Sequence, residues 1–198
     1  MLRVFVAFGK IRRRGISLAA LIATFYASFD PNAFSCPSCG AKHPHWKSHS
    51  TYVRWAIDFV QGVVVDEWLQ PLRLQCGSCK RTHAVLPPWI IPYFQYSLFF
   101  VLAVMRDRYL DHLTIQALQQ KYGISGSTFY RWQKVFLAHH ALWLRLLHDA
   151  LTAVPTLKEF LDRLDGDNNI NILRDFLQLT GRSFLQGAGR TTGVSGPP

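Results

Sequence analysis

The pattern of hydrophobic and polar positions changes character near residue 94. Before that point, short runs rich in β-branched and aromatic residues predict strands. These runs are 52–57, 63–65 and 72–74. Gln61-Gly62 can turn the chain between the first two runs, and Pro71 suits a strand edge. After residue 94, apolar residues recur at spacings of three and four, which predicts helices. We therefore expect an α+β fold, in which a small β-rich unit precedes a helical one.

The helical part predicts three helices between residues 97 and 140. Ser97 can cap a first helix that runs from Leu98 to about Leu110. Thr114 can cap a second helix, which Gly123 ends, and Ser125 can cap a third. The inward stripe of the third helix is Phe129, Trp132 and Phe136, and the apolar run 142–151 extends that helix.

The outward stripe of the third helix carries hydrogen-bond donors and cations at i, i+3, i+4 and i+7. A helix, a glycine-containing turn and a polar-faced helix are typical of proteins whose last helix enters the DNA major groove. Arg131 could pair with guanine, while Ser127, Thr128 and Lys134 suit phosphates. The predicted DNA-binding residues are Ser125, Ser127, Thr128, Tyr130, Arg131 and Lys134. The alternative is a helical hairpin whose polar face meets water.

Composition and charge narrow the class of protein. Hydrophobic residues make up 49% and charged residues 17%, which excludes a wholly disordered chain. The formal net charge is +10, with the positive excess in residues 1–150. Such a chain favours nucleic acid as its partner over a membrane, although a basic surface can also serve solubility alone. Weaker contacts to the DNA backbone are expected from Arg12, Arg13, Arg14, Lys80 and Arg81.

Two Cys-x-x-Cys knuckles are the strongest chemical signal. Cys36 and Cys39 form the first, and Cys76 and Cys79 form the second. Four soft thiolates close the tetrahedral shell of zinc and leave no position for water, so the predicted zinc is structural. Two disulfides or an iron–sulfur cluster are the competing interpretations. A β-hairpin that projects from the knuckles accounts for the long segment between them.

Four histidines lie near the knuckles, and any of them could replace a cysteine as ligand. They are His43, His45, His49 and His83. Because four cysteines already fill a zinc shell, we expect these histidines to be surface or packing residues.

The N-terminal segment resembles a signal peptide, since three arginines at 12–14 precede an apolar run at 16–25. The following residues make a poor cleavage site, and no apolar run reaches the roughly 18 residues of a membrane span. We expect instead a strand over 4–8 and a short helix packed on the ribbon, in a reducing cytoplasm. Membrane anchoring by residues 12–29 is the alternative.

Several motifs occur together in this chain. They are Cys36-Pro37-Ser38-Cys39-Gly40, Cys76-Gly77-Ser78-Cys79-Lys80-Arg81-Thr82-His83-Ala84-Val85-Leu86-Pro87, Pro92-Tyr93, Tyr96-Ser97 and the run 122–132. This set resembles the zinc-ribbon and helix-turn-helix front end of bacterial insertion-sequence transposases. An uncharacterised group of short bacterial proteins without a catalytic domain is similar over roughly residues 30–140. The resemblance implies sequence-specific DNA binding, in a nucleoid-associated protein connected with mobile elements.

The chain departs from full transposases in its acidic residues. Those enzymes use a carboxylate triad on a rigid sheet, whereas Asp162, Asp165 and Asp167 fit a solvated helix end. We therefore expect no catalysis by this chain. The alternatives are a non-catalytic fragment or subunit of a transposase, and a zinc-ribbon transcriptional regulator or protein-interaction adaptor.

The predicted organisation has five parts. They are a basic N-terminal arm (1–30), a zinc ribbon (31–93), a helix-turn-helix (94–150), C-terminal helices (151–180) and a flexible tail (181–198). The C-terminal helices either pack on the helical core or form a dimer interface that would suit paired DNA half-sites. Double-stranded DNA is the expected partner, and a second copy of the chain and a transposase are further candidates.

Overall fold

The computed structural model describes residues 2–3 and 15–148, together with positions 156, 158, 159, 161 and 185. Four predictions therefore lie outside the described residues. They are the strand over 4–8, the three arginines at 12–14, most of the C-terminal helices and all of the tail except position 185.

The described residues form an α+β arrangement in which the strands of two small sheets precede three consecutive helices, as the sequence predicts. The elements are β1 (Leu2–Arg3), α1 (Leu18–Ala27), a 3₁₀ turn (Pro31–Ala33), β2 (Lys47–Thr51), β3 (Arg54–Val60), β4 (Val63–Leu69), β5 (Leu72–Gln75), β6 (Thr82–Leu86), α2 (Leu98–Tyr109), α3 (Ile115–Tyr122) and α4 (Gly126–His148). One sheet has the strand order β1-β6-β5-β2, and the other consists of β3 and β4.

The β3–β4 hairpin turns at the predicted residues. Gln61 and Gly62 both have positive φ, at 51° and 85°, and they join the paired residues Val60 and Val63. A two-residue turn with both central residues in this conformation matches the twist of antiparallel strands. The hairpin is inserted between β2 and β5, which pair with each other in the larger sheet.

The β3–β4 hairpin is held against the start of α2 by hydrogen bonds. The Ser97 amide donates to the Ile57 carbonyl at 2.9 Å, and the Ile57 amide donates to the Gln95 carbonyl at 2.8 Å. The Ser97 hydroxyl donates to the buried Asp58 carboxylate at 2.6 Å. Ala56 and Leu69 are buried in the core shared with the helices. The hairpin is thus part of the helical packing.

Helix α1 packs on the strands, as predicted. Its first amides, those of Leu18 and Ala19, donate to the Glu67 carboxylate of β4 at 3.1 and 2.9 Å. The Tyr26 hydroxyl donates to the Val85 carbonyl of β6 at 2.8 Å and accepts from the Leu72 amide of β5 at 3.0 Å. Burial raises the pKa of Tyr26 to about 12, so the hydroxyl keeps its proton in this bridge. Among the described residues, no helix is long and apolar enough to cross a membrane.

Helix α2 is the central helix of the molecule, because its side chains are buried on most sides. The predicted caps are confirmed: Ser97 accepts from the Phe100 amide at 2.9 Å, and Thr114 accepts from the Ala117 amide at 3.1 Å. Gly123 ends α3 in the left-handed conformation, with φ at 64°. Helix α4 continues to His148, as the apolar run predicts.

A buried carboxylate joins the end of α2 to the end of α3. Asp107 is 4% exposed and accepts from the Tyr122 hydroxyl at 2.8 Å and from the Lys121 ammonium at 2.6 Å. Burial and this hydrogen bond raise the pKa of Tyr122. The Tyr122 ring also packs against Phe59 of β3, with ring centroids 4.7 Å apart. Tyr122 of α3 therefore connects to α2 through Asp107 and to the hairpin through Phe59.

Replacing Asp107 by alanine should lower the free energy of unfolding by about 1–3 kcal/mol, because the buried Tyr122 hydroxyl loses its acceptor. Urea denaturation of the full chain measures this change. Asp111→Ala removes the same charge from an exposed position and should change stability by less than about 0.5 kcal/mol. Equal effects of the two substitutions would contradict the role given to Asp107.

Candidate metal centre and basic helix face

The two knuckles have the same local backbone structure. In the first, the Gly40 amide donates to the Cys36 carbonyl at 2.8 Å, and in the second the Lys80 amide donates to the Cys76 carbonyl at 3.0 Å. Gly40 and Lys80 both have positive φ, at 71° and 62°. Glycine takes this conformation at no steric cost, as predicted for Gly40, whereas Lys80 adopts it with a side chain. The Lys80 ammonium donates to the Gly77 carbonyl of its own turn at 2.6 Å.

The knuckles bring four thiol sulfurs together. The Sγ atoms of Cys36 and Cys79 are 3.7 Å apart, and those of Cys39 and Cys76 are 3.8 Å apart. All four lie within 4.8 Å of one another. A regular tetrahedron with metal–sulfur bonds of about 2.3 Å has edges of about 3.8 Å, so the cluster has room for one ion at its centre. Four cysteines that could bind a metal are thus assembled as predicted.

The sulfur separations do not match the disulfide alternative. A disulfide bond is about 2.05 Å long, and all four cysteines are free thiols. A cluster of iron and sulfide needs more space than a centre about 2.3 Å from each sulfur provides. The geometry therefore fits a single ion with four thiolate ligands.

In each knuckle, a backbone amide donates a hydrogen bond to the sulfur of the first cysteine. The Ser38 amide donates to the Cys36 sulfur at 3.4 Å, and the Cys79 amide donates to the Cys76 sulfur at 3.5 Å. Burial opposes ionisation of Cys76, but bonds from the Cys79 and Ser78 amides and from neighbouring thiols outweigh it and lower its pKa to about 6. Since the thiolate is the metal-binding form, Cys76 is prepared to bind a cation near neutral pH.

One of the four nearby histidines contacts the cluster. His83 is 3% exposed, and its Nε2 atom lies 3.6 Å from the Cys36 sulfur. Its ring packs edge-on against Trp46, with centroids 5.6 Å apart. Burial is the largest cause of the lowered pKa of His83, and the positive charge of Arg81 adds to it. His43, His45 and His49 are exposed, as expected of surface residues. His83 is buried against Trp46, as expected of a packing residue.

Two neighbours of the cluster could not be expected from the knuckle motif. Trp46 is anchored by a hydrogen bond from its Nε1 to the Phe34 carbonyl at 3.1 Å. Gly77 donates its amide to the Pro44 carbonyl at 2.8 Å, so the second knuckle lies directly on the segment before β2. A Cβ atom at Gly77 would lie 2.6 Å from the Pro44 oxygen and 2.9 Å from the His45 oxygen. A glycine inside the knuckle was the only sequence signal of this close approach.

The predicted outward stripe of α4 is exposed. Its members are Ser127, Tyr130, Arg131 and Lys134. The predicted inward residues Phe129, Trp132 and Phe136 are buried, with at most 3% of each exposed. Helix α4 therefore presents a continuous polar and basic face along its first three turns.

Hydroxyl groups cluster where α4 begins. Ser125 accepts from the Thr128 amide at 3.2 Å, which makes it the predicted cap. Its hydroxyl also lies 2.9 Å from those of Ser127 and Thr128. Ser125 is thus held within the helix start, while the Ser127 side chain is open to solvent.

The segment that contains α3 and α4 carries no acidic side chain of its own. Residues 112–148 contain no aspartate or glutamate. Lys121 is paired with Asp107 of α2, whereas Arg131 and Lys134 are exposed on α4. Five residues were predicted to contact the DNA backbone. Lys80 and Arg81 are exposed on the second knuckle, and the three arginines at 12–14 lie outside the described residues. An anion approaching α4 meets cations without opposing carboxylates on that helix.

Gly77→Ala should destabilise the knuckle by about 1–3 kcal/mol, because the new methyl group meets two backbone oxygens that cannot move aside. Thermal denaturation of the full chain measures the loss. The exposed neighbour Ser78 provides the control, and Ser78→Ala should cost less than about 0.5 kcal/mol. A Gly77→Ala protein as stable as the control would show that the close approach to Pro44 is wrong.

Comparison with known proteins identifies one family match. Residues 36–132 match the family model described as "Domain of unknown function (DUF6431)". The match includes both knuckles, the hairpin, α2, α3 and the first two turns of α4. No curated protein and no solved structure matches the chain. The matched segment begins at the first cysteine of the candidate metal centre and ends in α4.

Proposed function

We propose that this protein binds double-stranded DNA in a sequence-specific manner and has no catalytic activity of its own. The observation that carries the proposal is the exposed basic face of α4, on a stretch of chain without acidic residues. The net charge of +10 supports a polyanionic partner.

The packing of α3 and α4 suits a helix-turn-helix. Three residues, 123–125, separate the two helices, and Gly123 makes the turn with positive φ. The major groove is about 12 Å wide and admits one α-helix. In such motifs, residues near the N-terminus of the second helix contact base edges. The exposed residues Ser127, Tyr130, Arg131 and Lys134 lie in the first three turns of α4, where this docking mode requires them.

Each exposed side chain of α4 suits a different contact with DNA. The Arg131 guanidinium can donate two parallel hydrogen bonds to guanine, which gives discrimination between bases. Lys134 and the hydroxyls of Ser127 and Thr128 suit phosphate oxygens, which position the protein. Tyr130 is 58% exposed and offers both a ring and a hydroxyl to the groove. Ser125 contributes by holding the hydroxyl cluster in place.

We infer that the metal is a structural zinc ion held by Cys36, Cys39, Cys76 and Cys79. Four thiolates gathered within 4.8 Å of one another suit the tetrahedral shell of zinc, and they leave no ligand position for a reactive water. Zinc bound there would connect the segment after α1 to both β5 and β6, since β5 runs into Cys76 and β6 begins three residues after Cys79. Its effect is therefore on the rigidity of the sheet.

The proposal extends to the cellular role of the protein. The likeness of the knuckles and of residues 122–132 to insertion-sequence transposases supports a place in mobile-element biology. We propose a nucleoid-associated protein of the cytoplasm, which acts as a dimer on paired half-sites or beside a separate transposase subunit.

Removing the metal with a chelator should loosen residues 31–93, because the two knuckles are then no longer bound to the same ion. Limited proteolysis should cut the metal-free chain within this region faster than the metal-bound chain. Cys76→Ser should reproduce the effect, whereas Ser78→Ala should not. Unchanged protease resistance after verified metal removal would argue against a structural role.

Arg131→Ala should weaken binding to the preferred duplex by about 1–3 kcal/mol and relax the sequence preference. The duplex is first selected from a random pool with the purified metal-bound protein, and its affinity is then measured by fluorescence anisotropy at several salt concentrations. Lys42→Ala removes one exposed charge far along the chain from α4 and should leave the preference unchanged. If the Arg131 variant keeps wild-type affinity and preference, this residue does not contact bases.

A further inference from the structure

A cleft of about 560 Å³ opens on one face of the larger sheet. All of its lining residues precede α4 in the sequence. Residues alternate across this sheet, so Leu74, His83 and Val85 are buried on one side. The opposite side forms the cleft floor, where Arg73 of β5 pairs in register with Ala84 of β6. The base of the hairpin and residues 92–95 form the walls.

The walls of the cleft are aromatic. They include Tyr52, Trp55, Tyr93 and Phe94. Aromatic faces stack on any planar π-system, and such stacking with nucleic-acid bases is favourable for all four bases. The volume is within the usual range of small-molecule sites, about 300–1,000 Å³. A single planar heterocycle with an attached sugar fits this space.

Two guanidinium groups give the cleft its positive charge. The Arg73 guanidinium lies over the Tyr52 ring, 4.6 Å from its centroid, and remains exposed. Arg54 donates to the carbonyls of Ile91 and Phe94, so it braces the wall segment. None of the described residues that line the cleft is acidic. The cleft thus combines stacking surfaces with an oriented cation and suits a planar ligand that carries a negative charge.

Tyr93 at the rim has an unusual conformation. Its φ is 59°, and its side chain is 98% exposed. A bulky residue in the left-handed region costs free energy, and such strain concentrates at binding sites. A solvent-exposed ring at the mouth of an aromatic cleft has room to fold over an occupant. A ligand bound in the cleft beneath the Tyr93 ring would account for both the positive φ and the exposed side chain.

We propose that this cleft binds one unstacked nucleotide, with its base against the aromatic walls and its phosphate against the Arg73 guanidinium. The nucleotide can belong to a single-stranded or locally opened nucleic acid, or it can be a free mononucleotide. The site shares no described residue with the basic face of α4, so this inference is independent of duplex recognition by that helix.

Anisotropy titration of the full metal-bound chain with a fluorescent ten-residue oligothymidylate tests the proposal. Arg73→Ala should weaken this binding about tenfold, the scale of one lost phosphate or stacking contact. Tyr93→Gly should also weaken it about tenfold, while thermal stability stays equal or rises because glycine accepts a positive φ. Lys42→Ala removes the same charge outside the cleft and should change the affinity less than about twofold.

Competition with unlabelled thymidine monophosphate distinguishes the two sources of the nucleotide. Displacement of the oligonucleotide supports a site that also accepts a free nucleotide, and failure to displace it supports a site for a nucleotide within a strand. If wild-type protein binds neither probe, or if the Arg73 and Tyr93 variants bind as the Lys42 variant does, the proposal is wrong. Duplex binding is measured on the same variants. In the α4 proposal, duplex binding depends on Arg131, so this measurement shows separately whether that proposal fails.

Discussion

The meeting of four thiol sulfurs within 4.8 Å of one another is the constraint on which the rest of the structure depends. Cys36 and Cys39 follow α1, whereas Cys76 and Cys79 lie between β5 and β6. The four strands β2, β3, β4 and β5 are therefore enclosed in a loop whose two ends meet at the sulfur cluster. Closing a long loop costs conformational entropy, which a metal bound to all four thiolates can offset.

From the sulfur cluster, a continuous series of contacts leads to α4. The Asp58 carboxylate of the enclosed hairpin accepts a hydrogen bond from the Ser97 hydroxyl, and this bond fixes the start of α2. Phe59 packs against Tyr122, and Tyr122 donates to Asp107, so α2 and α3 are held to the hairpin at their other ends. The buried face of α4 belongs to the same core. The orientation of its basic face therefore depends on the strands that the knuckles enclose.

Local signals in the sequence were enough to predict most of the elements and the gathering of the four cysteines. The caps at Ser97, Thr114 and Ser125, the Gln61-Gly62 turn and the paired knuckles each depend on residues close together in the chain. The Glu67 carboxylate at the start of α1 and the Tyr26 bridge between β5 and β6 join residues more than 40 positions apart. No local pattern encodes such contacts, and the same holds for the docking of the hairpin on α2 and for the cleft beside Arg73. Recognition of DNA by α4 stays a prediction, because a polar helix face has the same sequence pattern whether it meets DNA or water.

The most direct test of the account is X-ray absorption at the zinc edge, with metal quantification, on protein purified under reducing conditions. The account predicts about one zinc ion per chain, surrounded by four sulfur atoms at about 2.3 Å. A protein without stoichiometric metal, or a zinc ion with nitrogen or oxygen in place of one of the sulfurs, would contradict it.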